Sequence, residues 1–247
     1  MRRIRQLVLT FALAGITACG ASGHAGSHTI TVADIKSTDF ALLPCPVSRQ
    51  EAPCLLAVAG GKRLLFGTPS GLRNAFDPVL LASLDAVLLF SLQGPDLEGL
   101  DEVRNAGWTG GREDVLPVGG PAGTREVLAA LNKAFEMSDA QIFVEAPPHG
   151  GFGAALLGVL PGEGDAKAEV FNTGDLVVTR IESADGRAGY WVDYGGRRAV
   201  LQPCGMDLAV RFNDLSAFVL GCEATDDMAG WPLGDVQYLV QGGNPET

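Results

Sequence analysis

The chain has 247 residues, a formal net charge of −11 and a 47% share of hydrophobic residues. This length is enough for one sizeable hydrophobic core, so we expect a single domain behind the N-terminal leader. An acidic chain of this kind repels the phosphate backbone, which argues against nucleic acid as a partner.

The N-terminus has the pattern of a secretory signal: a basic head, an apolar run over 7–16 that is too short to span a membrane, and "ITAC" ending at Cys19. This ending resembles a bacterial lipoprotein signal, which is cut before a cysteine that then carries lipid. We therefore expect a signal over 1–18, a tether over 19–27 and a domain over 28–247. Lipid on Cys19 would anchor the exported protein to a membrane at the periplasmic side of the cell envelope. The alternative is a plain signal peptide cut elsewhere.

Four further cysteines follow Cys19, and an even number in an oxidising compartment favours disulfides. Two of them, Cys45 and Cys54, are close in sequence, whereas Cys204 and Cys222 each end an apolar run. Four cysteines allow three connectivities, so spacing alone does not fix the pairing.

Hydrophobic patterning predicts a chain dominated by strands. The predicted strands are, in chain order, 27–35, the hairpin 54–67 turning at Gly60-Gly61, 85–90, 115–121, 175–183, the hairpin 189–203 turning at Gly195-Gly196, 217–224 and 236–243.

One segment reads clearly as a helix. Thr124 is the predicted cap, and Val127, Leu128, Leu131 and Phe135 then share one face at helical spacing. The Gly/Pro-rich segment that follows, over 145–165, reads as a mobile loop. Many strands with few helices predict an α/β fold of two packed sheets with helices outside, an αββα sandwich.

The order of these elements resembles the metallo-β-lactamase superfamily, in particular its arylsulfatase-like and ribonuclease Z-like branch. The segments that carry the resemblance are "GGKRLLFGTPSGLRNAF", "LDAVLLFSLQGPDLEGL", "GWTGGREDVLPVGGPAGTREVLAALNKAF", "GYWVDYGGRRAVLQPCG", "FVLGCEAT" and "YLVQGG".

The resemblance implies a metal site, but this chain lacks the ligands that such a site needs. The family binds zinc or a related metal through a His-x-His-x-Asp-His loop and through His and Asp residues on later strands. The chain has only three histidines, and Gly67 stands where the branch usually has an aspartate. The relic ligand positions are Ser91, Gln93, Pro95, Asp96, Asp185, Cys204, Cys222 and Gly242. We therefore expect the scaffold without its metal, and no cofactor.

In the resembling fold the strands that precede Cys204 and Cys222 are neighbours. The resemblance therefore suggests a Cys204–Cys222 disulfide, which would close the place where metal bridges the strands. The second candidate pair is Cys45–Cys54.

The sequence predicts a pseudoenzyme, a binding or interaction protein at the cell envelope that takes a small ligand or a partner protein. The alternative is a hydrolase of esters, sulfate esters or lactams, with zinc bound through Asp96, Cys204 and Cys222. A decaying family member with no selected activity is a third reading.

Two other patterns could carry chemistry, and each has a structural explanation. Asp96 and Glu98 could act as an acid/base pair, or they could simply lie at the start of a helix. The glycine-rich turn over 119–124 could bind an anion, or it could only join a strand to a helix.

Overall fold

The structure is a computed structural model. It describes residues 35–49 and 52–203, Val32, Met206 and the three short strands β11, β12 and β13. The strands are β1 Phe40–Pro44, β2 Leu55–Ala59, β3 Lys62–Phe66, β4 Ala86–Leu88, β5 Leu116–Gly119, β6 Leu157–Val159, β7 Lys167–Asn172, β8 Leu176–Glu182, β9 Ala188–Tyr194, β10 Arg197–Gln202, β11 Ala217–Leu220, β12 Trp231–Pro232 and β13 Tyr238–Leu239. The helices are α1 Leu72–Ala75, α2 Pro78–Ala82, α3 Gly94–Leu97, α4 Leu100–Thr109 and α5 Thr124–Glu145, with a short 3₁₀ helix at Phe152–Ala155.

The strands form two sheets. The first has seven strands in the order β13-β1-β2-β3-β4-β5-β6, and the second has six in the order β12-β11-β10-β9-β8-β7. Strands β3 to β6 run parallel, as do β10, β11 and β12. The carboxyl ends of parallel neighbours lie at one edge of a sheet, which is where the loops that follow them gather.

Two hydrophobic cores lie on the two faces of the first sheet. Along β2, Leu55 and Ala57 face the second sheet, whereas Leu56 and Val58 face the helices, as the alternation of a strand requires. All five described helices place apolar side chains in the helical core, including Leu97 of α3 and Leu128 of α5. This arrangement confirms two packed sheets with a helical layer outside the first one. The fourth layer of the predicted sandwich, a helical layer over the second sheet, is not among the described residues.

Most predicted elements are present. Both glycine hairpins form, as β2–β3 and β9–β10, and α5 begins at Thr124 with Leu128 buried. Thr124 is not the cap, however, because Gly123 precedes the helix and the Thr124 hydroxyl donates to the carbonyl of Pro121. None of the described helices is long and apolar enough to cross a membrane.

The described residues differ from the predicted elements in several places. The predicted strand over 27–35 lies mostly outside the described residues, and the two of its residues that are described, Val32 and Ile35, are not in a strand. The first described strand is β1, which was not predicted and whose continuous apolar run fits a strand buried on both faces. The segment 145–165, predicted as a mobile loop, contains the 3₁₀ helix and β6, and β7 was not predicted at all.

Candidate functional site

The loop between β4 and α3 lies where the two sheets meet. From the second sheet, the Ala188 N–H donates to the Phe90 carbonyl at 2.7 Å and the Tyr190 hydroxyl donates to the Leu89 carbonyl. On the side of the first sheet, the Leu89 N–H of the loop donates to the carbonyl of Gly119 in β5 at 2.8 Å. The loop is therefore fixed at its base by both sheets.

Ser91 and Asp96 form a buried polar pair inside this loop. Their side chains are 3% and 6% exposed, and the Ser91 hydroxyl donates to Oδ2 of Asp96. The same Ser91 oxygen accepts the Gln93 N–H at 3.1 Å, and the Thr68 hydroxyl donates to the Asp96 carbonyl. Thr68 was not expected in the site, because its partner is a backbone carbonyl 28 residues away, which no local pattern reveals.

The environment of Asp96 disfavours its charge. Burial raises the pKa of Asp96 above its ordinary value, and the Ser91 hydroxyl and the Arg187 guanidinium oppose that rise only in part. The buried Oδ1 of Asp96 has no hydrogen-bond partner among the described residues. A carboxylate held in this way is costly to keep ionised.

The other two loop positions point to solvent. Gln93 precedes the first turn of α3 with an extended backbone, and Pro95 lies within that turn, where its missing N–H costs no helical hydrogen bond. Both side chains are exposed, and the Pro95 ring carries no atom that could ligate a metal. The four loop positions therefore contribute one carboxylate, which is buried.

Asp185 lies just before β9, the strand that contacts the β4–α3 loop, but its hydrogen bonds are formed within its own turn. Arg187 Nε donates to Asp185 Oδ2 at 2.8 Å, and the Ser183 hydroxyl also donates to this carboxylate. These bonds, the Arg187 bond foremost, lower the pKa of Asp185 to about 2. The sequence placed Asp185 among the relic metal positions, whereas its hydrogen bonds here close the β8–β9 turn.

Gly67, the position where the resembling branch usually has an aspartate, has no space for a side chain. Its φ is +75°, and a Cβ atom built there would lie 1.9 Å from the carbonyl oxygen of Pro53. Pro53 belongs to the loop that the Cys45–Cys54 disulfide closes, with a Cα–Cα distance of 5.3 Å. Backbone from this loop therefore occupies the space that the aspartate side chain would need.

The structure contains the Cys45–Cys54 bridge, one of the candidate pairs. Cys19, Cys204, Cys222 and Gly242 lie outside the described residues.

The metal site that the resemblance implies would need several nitrogen, sulfur or oxygen donors that converge on one point. Within the described part of the chain, no group of three or more histidine, cysteine, aspartate or glutamate side chains is arranged to hold a metal ion. Zinc sites take three or four such donors with free lone pairs, and Asp96 offers one partly engaged carboxylate. The described residues therefore do not fit the metal centre.

The two alternative chemical patterns are also resolved by contacts. Glu98 is exposed and lies 3.9 Å from Arg49, whereas Asp96 is buried, so the two carboxylates do not converge on one site. At the turn before α5, the Glu182 carboxylate accepts the Ala122 N–H at 3.2 Å. Glu163 likewise accepts the Arg125 N–H at 2.8 Å. Carboxylates of the chain itself therefore occupy the donors that an anion would use.

Two cavities of about 280 and 490 Å³ are found within the described residues, and neither is lined by the β4–α3 loop. The smaller lies between α5 and the 3₁₀ helix, beside Asn132 and Phe152, and the larger lies between the ends of α4 and α5, beside Ile142 and His149. Both are on the helical side of the first sheet, away from Ser91 and Asp96.

Comparison with known proteins identifies the fold. No protein-family model matches the chain, and no curated protein sequence matches it significantly. The metallo-β-lactamase fold protein YhfI from Bacillus subtilis is 15% identical, with a TM-score of 0.53 over 78% of this chain and 77% of that one. Human tRNase Z, short form, is also 15% identical, with a TM-score of 0.49 over 73% of this chain and 76% of that one.

The chain therefore has the metallo-β-lactamase fold, as its resemblance to that superfamily implied. The likeness to YhfI carries this conclusion, and at such low identity it establishes the fold alone.

Proposed function

We propose that this protein is a metallo-β-lactamase-fold pseudoenzyme that acts as a binding or interaction protein at the cell envelope, anchored by lipid on Cys19. Its partner would be a small ligand or another envelope protein. One observation carries the proposal: the loop that should hold the metal is closed on itself by the Ser91–Asp96 hydrogen bond.

The chemistry of the loop supports a metal-free role. A metal site needs several lone pairs that converge on one open point. Here the Pro95 ring has none to offer, Gln93 is exposed, and Asp96 has one oxygen occupied by the Ser91 hydroxyl. The space of the missing aspartate at Gly67 is taken by the Pro53 carbonyl.

Metal analysis of the purified full-length protein tests this role. We expect zinc, manganese and iron well below one equivalent, both in protein purified natively and in protein purified under reducing conditions. We also expect no metal-dependent hydrolysis of ester, sulfate-ester or lactam substrates. One equivalent of zinc together with such hydrolysis would overturn the proposal.

A hydrolase with a reworked site is the second candidate, and the unpartnered Oδ1 of Asp96 favours it. In that case Asp96, Cys204 and Cys222 would hold zinc. Asp96→Asn and Cys204→Ser would then each remove bound zinc, whereas the pseudoenzyme has no zinc for these substitutions to remove.

The anchoring part of the proposal depends on Cys19 and is tested separately. We expect metabolic labelling with a fatty acid to mark the wild-type chain and to fail with Cys19→Ser. The same substitution should move the protein from the membrane fraction to the soluble fraction. A wild-type chain without lipid would remove the anchor from the proposal and leave the metal-free role untouched.

A further inference from the structure

We infer that hydrogen bonds made by Thr68, Ser91 and Asp96 hold the β4–α3 loop in place of a metal ion, and that the Cys45–Cys54 loop clamps this arrangement from outside. The inference rests on the proposed metal-free function and adds the means by which the loop stays ordered. We call these hydrogen bonds, together with the Cys45–Cys54 loop, the loop lock.

The inner part of the loop lock joins both ends of the loop. Ser91 follows β4 and Asp96 lies in α3, so the hydrogen bond between their side chains closes a turn of six residues. The Gln93 N–H donates to the same Ser91 oxygen, which fixes the middle of the turn. A single hydroxyl therefore connects the start, the middle and the end of the segment that would otherwise be gathered around an ion.

Thr68 connects this turn to the segment after β3. Its hydroxyl donates to the Asp96 carbonyl, and its own carbonyl accepts the Gly99 N–H at 2.8 Å. A Cβ atom at Gly99 would lie 2.0 Å from the Pro69 carbonyl oxygen, so only glycine permits this approach. Packing against the β3–α1 turn thus explains why residue 99 is a glycine.

The second sheet contributes through the backbone. Ala188 at the start of β9 donates its N–H to the Phe90 carbonyl, one residue before Ser91. This bond joins the loop to the opposite sheet, which is the kind of bridge that a metal makes when its ligands come from strands of both sheets.

The disulfide loop covers the other side. The Pro53 carbonyl fills the space beside Gly67, and Val47 packs against Gly71. Arg49 reaches Ser70 Oγ at 3.4 Å and lies 3.9 Å from the Glu98 carboxylate. The Cys45–Cys54 loop therefore contacts both segments that Thr68 ties together.

Hydrogen exchange of the amides in residues 91–99, measured on the full-length protein, tests the loop lock. The informative pair is Thr68→Val, which keeps the shape of the side chain and removes the hydroxyl, and Thr68→Ser, which keeps the hydroxyl. We expect exchange in this segment to be about tenfold faster in Thr68→Val and in Ser91→Ala, because each loses a buried hydrogen bond. Thr68→Ser should stay near wild type, and Ser37→Ala is the control for an exposed serine.

The same measurement with a metal chelator, the chelator arm of the experiment, distinguishes failure of this inference from failure of the proposed function. Wild-type exchange in residues 91–99 should be the same with a chelator, with added zinc and with neither. If a chelator speeds exchange in the wild type, a metal holds the loop and both proposals fail. A second outcome is that the chelator has no effect and that residues 91–99 exchange at the same rate in Thr68→Val and Ser91→Ala as in Ser37→Ala. In that case the loop lock fails and the metal-free function stands. If Ser91→Ala does not fold, the Thr68 pair and the chelator arm still decide.

Discussion

The α4–α5 junction and the β4–α3 loop both bury charged side chains, and they compensate the charge differently. Between α4 and α5, the Arg104 guanidinium forms a two-pronged ion pair with the Asp139 carboxylate, and both side chains are enclosed. In the β4–α3 loop, the Asp96 carboxylate accepts the Ser91 hydroxyl, and the charge of Arg187, which pairs with Asp185, offsets its burial only in part. A full ion partner makes the first region a structural joint, whereas in the second region burial raises the pKa of the Asp96 carboxyl.

The α4–α5 junction also explains a glycine inside a helix. Arg112 donates to the carbonyls of Arg104 at 2.8 Å and Ala154 at 3.1 Å, which lie within α4 and the 3₁₀ helix. Burial, aided by the charge of Arg104, lowers the pKa of Arg112 to about 10. A Cβ atom at Gly107 would lie 2.3 Å from Arg112 Nη1. Glycine is unfavourable inside a helix, but any side chain at this position would overlap the Arg112 guanidinium.

The largest effect in this comparison is expected from Asp139→Ala. The substitution leaves the Arg104 guanidinium buried without its counter-ion, which typically costs about 3–5 kcal/mol of unfolding free energy. Urea unfolding followed by circular dichroism measures it. The matched control is Glu136→Ala, which breaks the exposed pair with Lys133 one helical turn away and should cost less than about 1 kcal/mol. Equal effects of the two substitutions would show that the buried pair is not the joint we describe.

The next effect concerns the predicted Cys204–Cys222 disulfide. Both cysteines lie outside the described residues, but the backbone pairs Gln202 with Leu220 in parallel strands, and each cysteine follows two residues later. Replacing both by serine should lower the unfolding free energy by about 3 kcal/mol. A non-reducing peptide digest checks the bond directly, and finding two free thiols would refute the pairing.

A slightly smaller effect is expected from replacing Cys45 and Cys54 together by alanine. The loop that their bridge closes is shorter, with a sequence separation of nine, so its loss should cost about 2–3 kcal/mol. Exchange of amides around Gly67 and Gly99 should also rise, since the covering loop is released. A loss of stability with unchanged exchange there would mean that the bridge stabilises the chain without clamping the site.

Sequence patterning reached β2, β4 and the α5 helix because apolar runs and helical spacing are local signals. The resemblance assigned relic positions to the β4–α3 loop, since their order relative to a strand and a helix is local. Sequence patterning could not find Thr68 or Arg187, because their partners are distant in sequence and include backbone atoms. Nor did it find β1, because the short apolar run ends at Pro44 and proline argues against a strand.

The glycines show the same limit. At Gly67 the sequence reveals only a missing aspartate, whereas the structure reveals the Pro53 carbonyl in its place. The close approach of two segments depends on tertiary packing, which the residue type at one position does not reveal. Packing thus links Gly67 to a disulfide loop on a different segment.

The smallest effect, and the most direct test of the comparison, is the pH dependence of Asp96→Asn. Because burial raises the pKa of Asp96, the folded chain takes up a proton there more readily than the unfolded chain does. The stability that Asp96 contributes is therefore fully present below pH 3.8 and is lost as pH rises through its folded pKa.

Asparagine at position 96 keeps an oxygen for the Ser91 hydroxyl and removes this pH dependence. We expect the variant to gain on the wild type as pH rises from acid to neutral, as measured by urea unfolding across that range. Asp114→Asn corrects for the loss of one negative charge, because Asp114 is an exposed aspartate outside the loop. If the wild type instead gains on Asp96→Asn towards neutral pH, the ionised carboxylate has a favourable partner, and the contrast with Asp139 disappears.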